Sequence, residues 1–228
     1  MSGKVEEQKK AAAFAAVDGY VESGITVGLG TGTTAFWVIR RIGELLAAGK
    51  LEEVRGIPTS ERSAEQAREE GIPLVGLSEA RPNLTIDGAD EIDPNLALIK
   101  GRGGALLREK IVAAAGDGLV VVADSSKRVD TLGVGTLPVE VEPFGWETTL
   151  EALAALGSEP ALRMKSGEPF VTDGGHYTVD CLFPSIEDPR ALETEIKHIP
   201  GALECGLFVG LSRAAVISRE DRVEILEA

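Results

Sequence analysis

The chain has 228 residues, 43% of them hydrophobic and 4% aromatic, with 27 glycines. That is apolar material for one large domain or two modest ones, and no apolar run approaches the roughly 20 residues a membrane-spanning helix requires. A net charge of −14 makes nucleic acid a poor partner, and Cys181 and Cys205 are too few for a disulfide framework.

The N-terminal MSGKVEEQKKAAAF is charged and helix-forming, not secretory, so a cytoplasmic protein is expected. Residues 4–19 predict a helix with an apolar stripe of Val5, Ala12, Ala13, Ala16 and Val17. Residues 25–29 predict a buried strand, 34–48 a helix and 54–57 a short strand. Ser60 is placed to cap a helix over 61–70, with Gly71 ending it. Strands are expected over 72–77 and 83–86, a helix over 103–115, and a strand buried on both faces over 119–123. Apolar β-runs alternating with helices imply βαβ units in a mostly parallel, Rossmann-like α/β sheet.

The rhythm then changes. Residues 137–141 predict a strand, 146–156 a helix and 161–165 a strand. Residues 169–172 and 176–182 flank Asp173-Gly174-Gly175, a hairpin signal. A helix over 189–198 and a strand over 203–209 complete the order β-α-β-β-α-β, which suggests a smaller ferredoxin-like α+β module. Residues 214–218 and 223–226 read as a hairpin returning to the first sheet. The expected division is therefore 1–132 plus 210–228 for a Rossmann-like catalytic domain and 133–209 for the ferredoxin-like domain.

Four loops, each after an inferred strand, carry polar chemistry. Gly28-Leu29-Gly30-Thr31-Gly32-Thr33-Thr34 lets the backbone turn sharply into a helix N-terminus, whose free N–H groups suit an anion. It matches neither the Walker loop nor G-x-G-x-x-G. It reads as a phosphate cradle or as a tight turn with threonine caps. Asp87-Gly88-Ala89-Asp90-Glu91-Ile92-Asp93 sets carboxylates where open α/β sheets bind ligands. They could handle hydroxyl protons, hold Mg²⁺ with a phosphate, or cap a solvated turn.

Lys100-Gly101-Arg102-Gly103-Gly104 leads towards Glu109. The lysine can stabilise an enolate-like oxygen or a phosphate. Glu109, about a turn and a half into its expected helix, is either a base made effective by partial burial or part of an ordinary polar patch, Arg108-Glu109-Lys110. Asp124-Ser125-Ser126-Lys127 ends the fourth strand, and Lys127 either clamps a sugar or phosphate oxygen or faces solvent. No spacing of metal ligands and no nucleophile elbow is present.

GTGTTA (30–35), DGADEID (87–93), KGRGGALLREK (100–110) and ADSSK (123–127) together resemble the ribose-5-phosphate isomerases of the A type, over essentially the whole chain. The resemblance implies interconversion of D-ribose 5-phosphate and D-ribulose 5-phosphate in the non-oxidative pentose phosphate branch, with no cofactor or metal. It implies a small sugar phosphate as the partner, not nucleic acid or membrane, and a homodimer or homotetramer. Residue by residue it puts substrate binding on Thr31, Gly32, Thr33, Thr34, Asp87, Gly88, Ala89, Asp90, Lys100, Gly101, Arg102, Gly103 and Lys127. It makes Glu109 the proton acceptor, with Asp87 and Lys100 as the other catalytic groups. A sugar-phosphate sensor without turnover and a coenzyme A transferase-like enzyme with Glu109 as nucleophile are the competing classes. The first usually comes with a DNA-binding module, and the second leaves Lys100 and the aspartate turn less explained.

Overall fold

The alternating pattern is realised in a computed structural model that describes residues 2–219 and 222–228. In chain order the elements are α1 (Ser2–Tyr20), β1 (Thr26–Leu29), α2 (Ala35–Ala47), β2 (Arg55–Pro58), α3 (Glu61–Glu69), β3 (Leu84–Gly88), β4 (Glu91–Ile92), β5 (Leu98–Ile99), α4 (Leu106–Ala115) and β6 (Leu119–Asp124), then a 3-10 turn (Ser125–Lys127). There follow β7 (Leu137–Val141), α5 (Trp146–Ala155), β8 (Glu159–Leu162), β9 (Met164–Lys165), β10 (Glu168–Pro169), β11 (Tyr177–Leu182), α6 (Pro189–Lys197), β12 (Ala202–Cys205), β13 (Leu207–Phe208), β14 (Ser212–Arg219) and β15 (Arg222–Glu227). Two compact units result, one of Met1–Ala89, Arg108–Lys127 and Gly210–Ala228, the other of Asp90–Leu107 and Arg128–Val209.

The first unit is built on a six-stranded sheet in the order β15-β14-β6-β3-β1-β2. All neighbours are parallel except β15, which pairs antiparallel with β14 at the edge. The central strands are apolar on both faces, as helix-covered parallel strands must be: Val27, Leu29, Ile86, Val120 and Val122 are fully buried. Of the expected α1 stripe, Ala12, Ala13, Ala16 and Val17 are buried and Val5 is 37% exposed. Ser60 caps α3 as its sequence predicts, accepting from Ser63 N in a capping box, and Gly71 follows at positive φ.

Residues 72–77 do not form the expected strand. Gly56 N donates to Pro73 O and Val75 N to Gly56 O, a single bridge at Leu74. Pro73 has no N–H with which to extend the ladder. The helix expected from residue 103 starts at Leu106, because Gly101 and Gly104 have φ of +103° and +83° and turn the chain first. Glu109 therefore lies in the first turn of α4 rather than deeper.

In the second unit, β7, α5, β8, β11, α6 and β12 make an antiparallel four-stranded sheet ordered β12-β7-β11-β8. Its four strands thus lie in the ferredoxin-like order 4-1-3-2. Leu137, Val139, Val141, Leu153, Val179, Cys181 and Ile196 form the buried core under α5 and α6. The run expected over 161–165 splits into the end of β8 and β9, which pairs with β10. The strand expected over 203–209 breaks into β12 and β13 at Gly206. Residues 90–107, expected in the first domain, cluster instead with this unit, since β13 pairs with β5 and β5 with β4.

Candidate active site

In the first unit the polar loops gather at the carboxyl edge of the parallel strands, where open α/β sheets bind ligands. Gly30 N donates to Ile86 O at 3.0 Å, drawing the loop after β1 against β3. Asp87, 1% exposed at the end of β3, accepts through Oδ1 from Thr31 N at 3.0 Å and from Gly88 N at 2.7 Å. A Cβ on Gly30 would come within 2.2 Å of that Oδ1, so the carboxylate occupies the space a side chain would need.

The three threonines do different work. Thr31 Oγ1 lies 2.7 Å from both Thr59 Oγ1 and Ser60 Oγ, a cluster of hydroxyls that sequence reading missed beyond the role of Ser60 as a helix cap. Thr33 Oγ1 accepts from Lys9 Nζ at 3.0 Å, which brings an ammonium to the threonine turn. Lys9 carried no sequence signal, since one lysine on a polar helix face resembles any other. Thr34 stands at the N-cap of α2 and makes no side-chain capping bond, leaving its hydroxyl available to a ligand.

Glu109 reaches this edge on α4. Gly116, just past the helix, lies against Pro82 at the amino end of β3, and a Cβ there would be 2.5 Å from Pro82 O. One turn up, Val112 Cγ1 would be 2.8 Å from a Cβ on Gly28, in the middle of β1. The helix thus runs from the carboxyl to the amino edge of the sheet. Glu109, three residues before Val112, shares its sheet-facing side and lies about 4.5 Å nearer the carboxyl edge, between the levels of Leu29 and Gly30. Only 3% of Glu109 is exposed, whereas its neighbour Arg108 points outward to Glu61 at 2.8 Å. The sequence triplet Arg108-Glu109-Lys110 is not an ordinary surface patch.

After β6, Asp124 is buried and bonds Ser126 through N and Oγ. These bonds shape the 3-10 turn that ends in half-buried Lys127, which makes no hydrogen bond or ion pair among the described residues. A cleft of about 380 Å³ opens beside the threonine turn, between Thr31, Thr33, Phe36, Ile39, Arg62 and Gln66. Neither Asp87 nor Glu109, the buried acids of this sheet edge, lines it.

The second unit carries the other predicted residues. Asp90 Oδ2 accepts from Arg102 N at 3.0 Å, and Lys100 N donates to Gly206 O at 2.8 Å. Lys100 is 3% exposed, with Nζ 5.4 Å from the centre of the Phe208 ring. Gly206 must be glycine, since a Cβ would lie 2.1 Å from Lys100 O. The Arg102 guanidinium is 2.7 Å from buried Glu91, whose carboxylate also gathers the amides of Gly133, Val134 and Gly135. That side chain is held as part of the fold. Gly103 is exposed and its amide has no acceptor among the described residues.

Comparison with known proteins gives the same grouping. Residues 55–222 match the family model for ribose 5-phosphate isomerase A (phosphoriboisomerase A). The ribose-5-phosphate isomerase A of Gloeobacter violaceus is 52% identical over 221 residues, 96% of this chain and 95% of that one. That of Roseiflexus castenholzii is 52% identical over 223 residues, covering 96% and 94%. Among solved structures, ribose 5-phosphate isomerase from Plasmodium falciparum superposes with a TM-score of 0.95 at 44% identity, covering 98% of this chain and 99% of that one. A D-ribose-5-phosphate isomerase in complex with phospho-erythronic acid superposes at 0.96 and 38% identity, with the same coverage. The chain belongs to the ribose 5-phosphate isomerase A family.

Proposed function

We propose that this enzyme interconverts D-ribose 5-phosphate and D-ribulose 5-phosphate by proton transfer through a cis-enediolate, in the non-oxidative branch of the pentose phosphate pathway. The observation that carries the reading is the burial of Glu109 in the first turn of α4, at the sheet edge that also holds Asp87 and the threonine turn. Water is excluded from such a carboxylate, and a desolvated carboxylate is a stronger base towards a carbon-bound proton.

Asp87 shuttles the hydroxyl proton as the furanose ring opens. Glu109 then takes the proton from C2, and the C–H electron pair forms the C1–C2 double bond while the carbonyl π pair moves onto O1. Lys100 stabilises the oxyanion that develops. As the proton passes from O2 to O1, Glu109 returns its own to C1, and the ketose results. A positioned base is worth roughly 10²–10⁴-fold and an oxyanion donor about 10²–10³-fold. The sugar phosphate is anchored at the threonine turn, where the α2 N-terminus and the Lys9 ammonium offer positive charge to an anion on a chain of net charge −14. Lys127 and Asp90 hold the sugar hydroxyls, and the Gly103 amide faces the oxygen on which charge develops.

No step calls for a metal or organic cofactor. The enzyme works in the cytoplasm as a homodimer or homotetramer. The direct test is conversion of ribose 5-phosphate by the purified chain before and after treatment with a chelator. Equal ketose formation in both arms is expected. No conversion would remove the reading, and activity lost with chelation and restored by a divalent ion would replace proton transfer with a metal-assisted route.

A further inference from the structure

Arg163, between β8 and β9, lies outside every motif that marks the family in this sequence, yet it holds the loop that follows Lys100. Its Nη1 donates to Gly101 O at 3.1 Å and to Arg102 O at 3.2 Å. The same guanidinium is fixed by Asp180 on β11, with Nε 2.8 Å from Oδ2 and Nη2 on the other oxygen. It also lies 5.7 Å from the centre of the Phe170 ring. That ring packs on Gly104, where a Cβ would come within 2.4 Å. Two consecutive carbonyls, an aromatic face and a bidentate carboxylate thus converge on one side chain, which is only 15% exposed.

In a trans peptide the C=O and N–H point in opposite directions. Drawing the Gly101 and Arg102 carbonyls towards Arg163 aims the amides of Arg102 and Gly103 the other way. The first meets Asp90 Oδ2. The second has no acceptor among the described residues.

We propose that Arg163 is a positioning residue for the isomerisation, setting the peptide planes that follow Lys100 so that the Gly103 amide is presented to a substrate oxygen. This rests on the assignment of the Lys100–Gly103 loop to the substrate made above. A guanidinium suits the task because its planar fork can serve two carbonyls and a carboxylate at once, whereas an ammonium is a point charge.

The test is steady-state kinetics on Arg163→Ala, Arg163→Lys and Asp180→Asn, with circular dichroism and thermal melting of each. Misplacing a catalytic group by an ångström costs on the order of 100-fold, so Arg163→Ala should lose about 10- to 100-fold in kcat while KM changes by less than about threefold. Millimolar guanidinium chloride should restore part of that kcat in the alanine variant and none in the parent, and Arg163→Lys should recover less than the free guanidinium does. A folded alanine variant with the parent's kcat, or one whose loss follows its melting temperature without rescue, would overturn the proposal. If the alanine variant does not fold, Asp180→Asn decides: a lowered kcat at near-constant KM supports the role, and an unchanged kcat refutes it. A parent enzyme without isomerase activity would instead refute the functional reading, which separates the two failures.

Discussion

Single atoms at the threonine turn decide the chemistry of its neighbours. Gly30 has no Cβ because the Asp87 carboxylate fills that place. Gly30→Ala is expected to displace Asp87 and abolish turnover, read as lost activity in a variant that still melts cooperatively. Lys9→Met removes the ammonium beside Thr33. A hydrogen bond to a charged group is worth about 1.5–3 kcal/mol, so KM for the sugar phosphate should rise roughly 10- to 100-fold with kcat little changed.

Buried Cys181 shows the opposite use of burial, for inertness. Desolvation pushes its thiol up to about 12 from 9.0, although a hydrogen bond with Ser158 works the other way. A native chain at pH 8 should therefore resist thiol alkylation, and both cysteines should react once it is denatured, as counted by mass spectrometry. The raised value also fixes the sign of its linkage to stability. The unfolded thiol ionises first, so this group's contribution is complete below about pH 9 and declines as pH rises towards 12.

At this scale the sequence was partly legible. Asp87 and the glycine turn are motifs in consecutive residues. The bond from Lys9 to Thr33 and the Thr31–Thr59–Ser60 hydroxyls join positions 24 to 29 apart. No local pattern announces such pairs.

Among the elements, α4 matters most, since it carries the proposed base and its height on the sheet depends on Gly28. A Cβ at Gly28 would meet Thr85 Oγ1 at 2.3 Å and Val112 Cγ1 at 2.8 Å. Gly28→Ala should lift the helix, cost about 1–3 kcal/mol of stability by overpacking, and lower kcat through Glu109. Denaturant unfolding alongside kinetics checks both parts. Long apolar runs such as 119–123 and the capped helix after Ser60 were readable because their signals are periodic or adjacent. The two-residue strands β4 and β5 are too short to show a period, and they exist only because β13 closes a small sheet with them. Residues 72–77 have a strand's composition, but Pro73 denies them a ladder. Glycines at positive φ, not the apolar pattern, set where α4 begins and so where Glu109 falls.

Over the whole molecule, the alternation of strands and helices gave away the parallel sheet, and the switch to β-α-β-β-α-β revealed the second unit. The membership of residues 90–107 could not be read, because it is decided by pairing with a strand more than a hundred residues later. The proposed chemistry turns on Glu109, the group that moves hydrogen between the two carbons of the substrate. The most direct measurement is incorporation of solvent deuterium at C2 of ribose 5-phosphate, followed by NMR for the parent and for Glu109→Gln. The parent should exchange that hydrogen during turnover, while the glutamine variant, folded and still binding the sugar phosphate, should lose exchange and isomerisation together by about 10²–10⁴-fold. Exchange by the variant within tenfold of the parent would contradict the assignment of Glu109 as the base.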